Sequence, residues 1–495
     1  MSLLSDVAAF TVSSLDCADH RFPKSGKVIH DAVWGSINLN PAEVALLDSR
    51  LLQRLRELHQ TGFAFLTFPS ARHSRFEHSL GVVHQTDRHL KALRTRFPGR
   101  VTDDVIAMLR TAALLHDCSH GLFSHTSEEI YRFLPDILEF TSDGGDYEQH
   151  KASELIARFI LESDRFSKVI EFLAKHGPVH GSGSRLAALI CGDHEGVEPH
   201  ERWWIEIING PLDADKLDYI ARDSLHTGLP LSVDLDRLWL ATEIQPLEKG
   251  CLENIDRDQI RLVINRSGLS AVEGILFARF QLTSAVYQHP KIRACDCLFK
   301  AWIEEEQRNG RFCRTIDFIE ATDVTYMAAM KPRHRGELLK RALVLSARTT
   351  GIGEPEQVAP ALLNLVEQGN ATEDGWKRLR SLAGRIAVEA NVPEGERNLV
   401  WIDLPAFPKV EDLALTVVNL GTSERPKYEY LDDVFPVRQW RTMFQDRNWR
   451  GHVFAPAKYL DCVGRAAREV LEAELPDVKI QDEAYTWCKR SPGGR

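Results

Sequence analysis

From Pro41 to about Lys300 apolar residues recur at intervals of three and four, the spacing of one face of an α-helix. The clearest run is V-T-D-D-V-I-A-M-L-R-T-A-A-L-L. Thr102 can cap it, Asp103 and Asp104 suit its electropositive first turn, and Val105, Ile106, Leu109 and Ala112 or Ala113 share one stripe. Ahead of this region K-V-I-H-D-A-V-W-G-S-I-N-L alternates about Gly35, which predicts a small β-hairpin. Residues before about Lys24 show no periodicity and are expected to form a loose arm. Glycine-rich breaks fall at Asp143–Asp146 and Gly181–Ser184, and helical spacing then continues through Arg348. A-T-E-D-G-W starts a further helix, and N-L-V-W-I-D-L, A-L-T-V-V, G-H-V-F-A and D-V-K-I read as strands. The final S-P-G-G-R reads as a frayed end. The expected fold is mainly α: an arm over 1–26, a helical core with its N-terminal hairpin over 27–300, and a C-terminal helical and mixed α/β lobe over 301–495.

Composition narrows the function classes. The 495 residues carry 61 Lys and Arg against 71 Asp and Glu, a net charge of −10 that disfavours general binding to nucleic acid. Nine cysteines are scattered, with only Cys295 and Cys297 close together, so neither a disulfide framework nor a zinc finger is indicated, and reduced thiols of a cytoplasmic protein are expected. Val7 to Leu15 is mildly apolar but lacks a basic flank, which argues against a signal peptide. No uncharged stretch is long enough to cross a bilayer.

Candidate chemistry lies in three separated segments. His78 sits in R-F-E-H-S-L-G-V, His116 and Asp117 end the helix of the clearest run, and Asp215 opens another in D-A-D-K-L-D-Y. A lone His-Asp dipeptide is commonly a buried structural pair, but two imidazoles and two carboxylates on helix ends form a mixed nitrogen and oxygen set suited to one first-row divalent metal. Such an ion polarises phosphorus and lowers the pKa of bound water from about 15.7 towards about 7. Gly121 lets the chain turn so that His120 and His125 come back over the same place. With His150 they are candidates for proton transfer, and Glu128, one turn after His125, can orient its ring. Lys216, Arg75 and Arg279 can clamp a polyphosphate, while Tyr219, Tyr287 and Gln288 suit a sugar and base.

These residues lie in blocks that resemble the HD-domain deoxynucleoside triphosphate triphosphohydrolases, most closely the SAM-and-HD-domain type, although no SAM domain fits before Lys27. The blocks are K-V-I-H-D, D-S-R-L-L-Q-R-L-R, H-Q-T-G, F-P-S-A-R-H-S-R-F-E-H-S-L-G-V, L-L-H-D-C-S-H-G-L-F-S-H, D-A-D-K-L-D-Y-I-A-R-D and A-V-Y-Q-H, in that order over roughly 27–300. The resemblance implies an HD-domain helical core in which His78, His116, Asp117 and Asp215 hold one divalent ion (Fe, Mn, Zn or Mg), with Mg accompanying the nucleotide. It implies phosphate contacts from Arg75, His120, His125, His150, Lys216, Tyr219 and Arg279, with His125 as general acid at the 5′-oxygen. Gln60 and Asp223 match positions that hold the sugar 3′-hydroxyl, and Tyr287 with Gln288 match positions at sugar and base. The implied reaction converts a dNTP to deoxynucleoside and inorganic triphosphate.

The same resemblance implies an activating site for GTP or dGTP at a subunit interface of a homo-oligomer, a dimer or tetramer, built from Lys27, Val28, Asp48, Gln53 and Arg56. Phe68, Arg237 and His289 match part of an adjoining second effector site, where His30 replaces an asparagine and Ser267 a lysine. Thr61 replaces a leucine of the sugar pocket, which relaxes the expected rejection of ribonucleotides. Two rival readings remain at this point: an HD phosphohydrolase of other specificity, such as a nucleotidase or alarmone hydrolase, and a non-catalytic nucleotide sensor.

Overall fold

The computed structural model describes residues 2–16, 22–142, 147–148, 150–329, 339–350, 358–408, 410–422 and 424–489. The glycine-rich break at 143–146 and the terminal S-P-G-G-R lie outside them. The fold is mainly α, as expected. Its described strands are β1 (Lys27–Asp31), β2 (Gly35–Leu39), β3 (Thr242–Leu247), β4 (Gln259–Asn265), β5 (Leu339–Leu345), β6 (Trp401–Asp403), β7 (Val417–Asn419), β8 (Tyr428–Tyr430) and β9 (Gly451–Pro456). The chain forms two compact units, one from Met1–Arg279, Arg314–Ala328 and Glu411–Val437, the other from Phe280–Cys313, Ala329–Val410 and Arg438–Arg495.

In the first unit β1 pairs antiparallel with β2, Asp31 opposite Gly35. Asp31 Oδ1 accepts the backbone N–H groups of Val33 and Trp34 at 2.9 Å each, and Gly35 takes a φ of +71°, so the predicted hairpin closes on a side-chain-capped turn. The helix Arg75–Arg96 begins at a capping box, Ser74 with Glu77, which sets His78 in its first turn. It packs against the helices Asp103–Leu115 and Ala214–Thr227. Thr102 caps the second of these through the Val105 N–H, and Asp213 caps the third through that of Lys216. Three caps thereby fix three helix ends, and each of those helices delivers site residues.

The first unit also holds the sheet β3-β4-β7-β8, with β4 and β7 parallel. This departs from the expectation of helix from Pro41 to Lys300. T-E-I-Q-P-L buries Thr242, Ile244 and Leu247, a strand pattern short enough to be lost among helices, and Pro246 is tolerated because β3 is an edge strand. The expected loose arm is corrected as well: Leu3–Ser14 is a helix capped by Ser2, burying Leu3, Val7, Phe10 and Thr11. That spacing was present, but the polar and β-branched residues through Thr11–Ser14 masked it.

In the second unit β5-β9-β6 form an antiparallel sheet against the helices Pro290–Arg308, Glu373–Glu389 and Leu460–Glu474. Thr372 caps the helix announced by A-T-E-D-G-W, and three of the four expected strand runs contain β6, β7 and β9. D-V-K-I does not form a strand; only Ile480 makes an isolated bridge, to Thr350. Helical spacing through Arg348 is also corrected, since Leu339–Leu345 is β5. A-L-V-L is buried throughout, and a continuous apolar run has no period by which strand and helix can be told apart. Trp449 is fully buried in this unit and donates its indole N–H to Pro405 O at 2.7 Å.

Candidate metal centre

His78, His116 and Asp215 each present one donor atom, and these atoms lie within 4.8 Å of one another. His78 Nε2 is 3.3 Å from His116 Nε2 and 2.9 Å from Asp215 Oδ1. Both imidazoles are committed on their other side. His116 Nδ1 lies 2.8 Å from Ala113 O, a carbonyl that can only accept, so this nitrogen carries the proton. His78 Nδ1 donates to Asp218 Oδ2 at 2.7 Å. In their neutral forms two Nε2 lone pairs therefore face each other beside a carboxylate, an arrangement that needs a cation to be favourable. The donor set fits a divalent ion.

The surrounding carboxylates favour positive charge at this place. Burial disfavours a charged His78, yet hydrogen bonds to Asp215 and Asp218 outweigh it and raise its pKa to about 10. Asp215 is held below the ordinary carboxylate range: burial opposes this, and the His78 hydrogen bond, with His116 and Lys216, overcomes it. Asp117 stands beside the trio, its Oδ2 3.8 Å from His78 Nε2 and its Oδ1 3.4 Å from His116 Nε2. Arg75 Nη1 grips Asp117 Oδ2 at 2.6 Å; against the cost of burial, Arg75 followed by His116 keeps that carboxyl well below its usual value.

A second cluster joins His120, His125 and Glu128. His120 Nε2 is 3.3 Å from Asp117 Oδ1, and its ring meets that of His125 edge to face at 5.0 Å. Burial, reinforced by Arg75, holds His120 well below the usual histidine range, so it is neutral. His125 is 71% exposed along its side chain, with Nδ1 3.2 Å from Glu128 Oε2. Glu128 is fixed in turn by the Ser153 N–H at 3.1 Å and hydroxyl at 2.7 Å. Between the clusters Phe123 and Ser124 take φ values of +48° and +55°, costly for residues with a side chain. Ser124 is clamped there, accepting from Arg75 Nε at 2.6 Å and donating to His59 O at 2.9 Å.

Residues 75–257 match the HD domain family, and residues 251–482 match the HD associated region. The chain carries an HD domain and its associated region. Over 434 residues this HD-domain chain is 28% identical to an uncharacterized protein of Methanocaldococcus jannaschii, covering 87% of its own length and 79% of the relative's. It is 30% identical over 234 residues to the deoxynucleoside triphosphate triphosphohydrolase SAMHD1 of Gallus gallus, spanning 44% of this chain but only 37% of that protein. A crystal structure of a hypothetical protein from Aquifex aeolicus shares the fold, with a TM-score of 0.58 and 22% identity over 89% of this chain and 99% of the other. Family and donor set together support a phosphohydrolase.

The remaining candidates of the HD-domain chain are distributed as follows. Lys216 lies one residue beyond Asp215, and its Nζ donates to Gly210 O at 2.8 Å and to Asp213 Oδ2 at 2.5 Å. Burial raises the Tyr219 phenol, and Arg279 and Lys216 partly offset this, so these three groups feel one another. Arg75 Nη2 and Gln60 Oε1 are buried without a hydrogen-bond partner among the described residues. Asp223 Oδ1 lies 2.8 Å from His73 Nε2, and the Gln60 N–H donates to His73 O at 3.1 Å, so His73 links the two expected sugar contacts. His150 Nδ1 is also buried without a partner among the described residues. Tyr287 and Gln288 belong to the second unit, where Gln288 donates to Ala406 O at 3.0 Å.

Of the expected effector residues, Lys27 Nζ pairs with Asp48 Oδ2 at 2.8 Å and Val28 is exposed. Gln53 Oε1 accepts from Arg56 Nε at 2.8 Å, and the Arg56 guanidinium lies 3.6 Å from the Phe76 ring centre.

Sequence reading missed four groups, Trp34 among them. Asp218 holds His78 and is itself held by Arg222 at 2.8 and 3.0 Å and by the Trp34 indole at 2.5 Å. Its spacing of three from Asp215, on one helix face, was the available signal. Lys151 lies in the field of Glu128 and Asp215. His73 was visible within F-P-S-A-R-H-S-R but gives no signal by type alone.

Proposed function

We propose that the chain hydrolyses deoxynucleoside triphosphates in one step to deoxynucleoside and inorganic triphosphate. The observation that carries this reading is the pair of facing Nε2 atoms beside Asp215, with a second imidazole and carboxylate cluster adjoining through Asp117. His78, His116, Asp117 and Asp215 would hold one divalent ion, Fe, Mn, Zn or Mg, which supplies Lewis acidity towards phosphorus and activates water at neutral pH. Arg75, its Nη2 without a hydrogen-bond partner among the described residues, binds a phosphate oxygen while Nη1 keeps Asp117 ionised. Lys216, Tyr219, Arg279, His120 and His150 take the rest of the triphosphate, with Mg accompanying it. Water adds at the α-phosphorus, the bond from that phosphorus to the 5′-oxygen breaks, and His125, steadied by Glu128, delivers the proton to the departing oxygen.

Gln60 and Asp223, linked through His73, meet the sugar. Lys27, Val28, Asp48, Gln53 and Arg56 form a site at which GTP or dGTP activates a homo-oligomer. The activity for which the SAMHD1 relative is named supports the choice of substrate. No helix among the described residues is long and apolar enough to cross a membrane, which accords with work on the free nucleotide pool of the cytoplasm.

Turnover of dATP in ¹⁸O-labelled water with a divalent metal tests this directly. Unlabelled deoxyadenosine and triphosphate bearing one heavy oxygen are expected. Orthophosphate or dAMP as the product rejects the cleavage and favours a different HD specificity.

A further inference from the structure

We propose that the first unit carries a second small-molecule site, for an uncharged nucleoside, in a cavity that borders the support of the metal centre from the side of Trp34. The cavity has a volume of about 770 Å³, within the range of ligand pockets, and is walled by Trp34, His84, Ile220, Leu231 and Trp239. The rings of Trp34 and His84 lie nearly parallel, 14° apart with centroids at 5.6 Å, and form an aromatic wall. His84 makes no hydrogen bond to the protein among the described residues, so its ring nitrogens are available to a base edge or a sugar hydroxyl.

The charge pattern selects the ligand. Arg88 lines the cavity and is closed by Asp236 at 2.8 Å, and Asp234, also on its wall, is taken by Arg237 at 3.2 Å. Arg88 is further occupied by the Trp239 ring, 4.8 Å from its centre. His84, lowered by burial and by Arg88, adds no positive charge near neutrality. With no uncompensated cation among these groups, a di- or triphosphate gains nothing to offset the loss of its hydration. A planar, uncharged, hydrogen-bonding molecule fits the aromatic wall, the apolar loop at Leu229–Leu231 and the volume. Nucleosides are that class, and the choice of a deoxynucleoside rests on the proposed reaction, of which it is the product.

The cavity has a direct line to the site. Trp34 presents its ring to the ligand and its N–H to Asp218 Oδ1, while Asp218 Oδ2 holds His78 Nδ1. Occupancy that shifts the indole therefore alters the support of His78, a route for product to slow turnover without competing with substrate.

Isothermal titration calorimetry of the full chain with deoxyadenosine tests the site and needs no turnover, so an inactive protein still decides it. Ala221→Phe and Leu231→Trp, which fill the cavity from a helix and from a loop, are each expected to weaken one binding event at least tenfold with the thermal midpoint maintained. Unchanged binding in both well-folded variants overturns the proposal. Should either fail to fold, photo-crosslinking of the unaltered chain with 8-azido-deoxyadenosine replaces it: label within 228–239 supports the site, and label confined to other peptides removes it. In an active preparation, deoxyadenosine should lower kcat severalfold at constant KM, and a purely competitive pattern would break the link through Trp34.

Discussion

The two histidine clusters of the first unit use the same residue types and differ in how tightly they are held. At His78, His116 and Asp215 both imidazoles are fixed by hydrogen bonds on Nδ1, and His78 is wholly buried between Asp215 and Asp218. At His120, His125 and Glu128 one imidazole is buried and neutral, while the other stands mostly in solvent with a single carboxylate behind it. Rigid, buried donors facing one another suit an ion, whereas an exposed ring with one fixed nitrogen and one accessible nitrogen suits a proton in transit. Composition alone does not separate these roles; fixation does.

The strongest break of that contrast is Asp215→Ala. It removes the carboxylate against which both Nε2 atoms are arranged, and should abolish turnover and bring bound metal, measured by elemental analysis, from about one equivalent per chain to near zero. Full metal content in that variant would dismiss the trio as the ion's seat. His125→Ala should instead retain the metal and lose roughly 10²–10⁴ in kcat, the usual worth of a positioned general acid. Metal loss in His125→Ala would show that the second cluster belongs to the ion as well.

What the sequence made legible follows the same line. His78, His116, Asp117, His120, His125 and Asp215 fall at helix ends, where cap residues and a local period fix their direction, and the structure gathers all six. Asp218 and Trp34 were missed because their role depends on a partner 140 or more residues away, His78 for the one and Asp218 for the other. Helices with one apolar stripe were readable. The buried strand Leu339–Leu345 and the edge strand Thr242–Leu247 were not, since one shows no alternation and the other shows too little of it.

Asp218→Asn sharpens the comparison at a lower level. The amide retains the shape but weakens the hydrogen bond that commits His78 Nδ1, and a fall of about 10–100-fold in metal affinity or activity is expected, the usual effect of losing a ligand's supporting partner. Gly81→Ala approaches the same defect by packing. A Cβ there would stand 1.8 Å from Asp218 Oδ1 and 2.4 Å from Arg222 Nη2, so the pair must move. Equal metal affinity in both variants and the unaltered chain would show that His78 is fixed by its helix alone.

The smallest effect concerns Glu128 and is read as stability against pH. Burial would raise its carboxyl, but the hydrogen bond and charge of His125 and the Ser153 hydroxyl bring it well below the ordinary value of 4.5. The folded form thus binds its proton less readily than the unfolded chain. The resulting stabilisation is present in full above about 4.5 and is lost as the pH falls below that value towards the depressed folded pKa. Glu128→Gln has no carboxyl to titrate and should melt lower at neutral pH, by about 1–2 °C for each kcal/mol lost in a unit of this size. Below pH 4.5 its midpoint should fall less steeply than that of the unaltered chain, so the two curves converge. Parallel curves from pH 7 to pH 3 would mean that Glu128 is not held ionised by His125 and Ser153, and the second cluster would lose the fixed carboxylate on which its role in proton transfer depends.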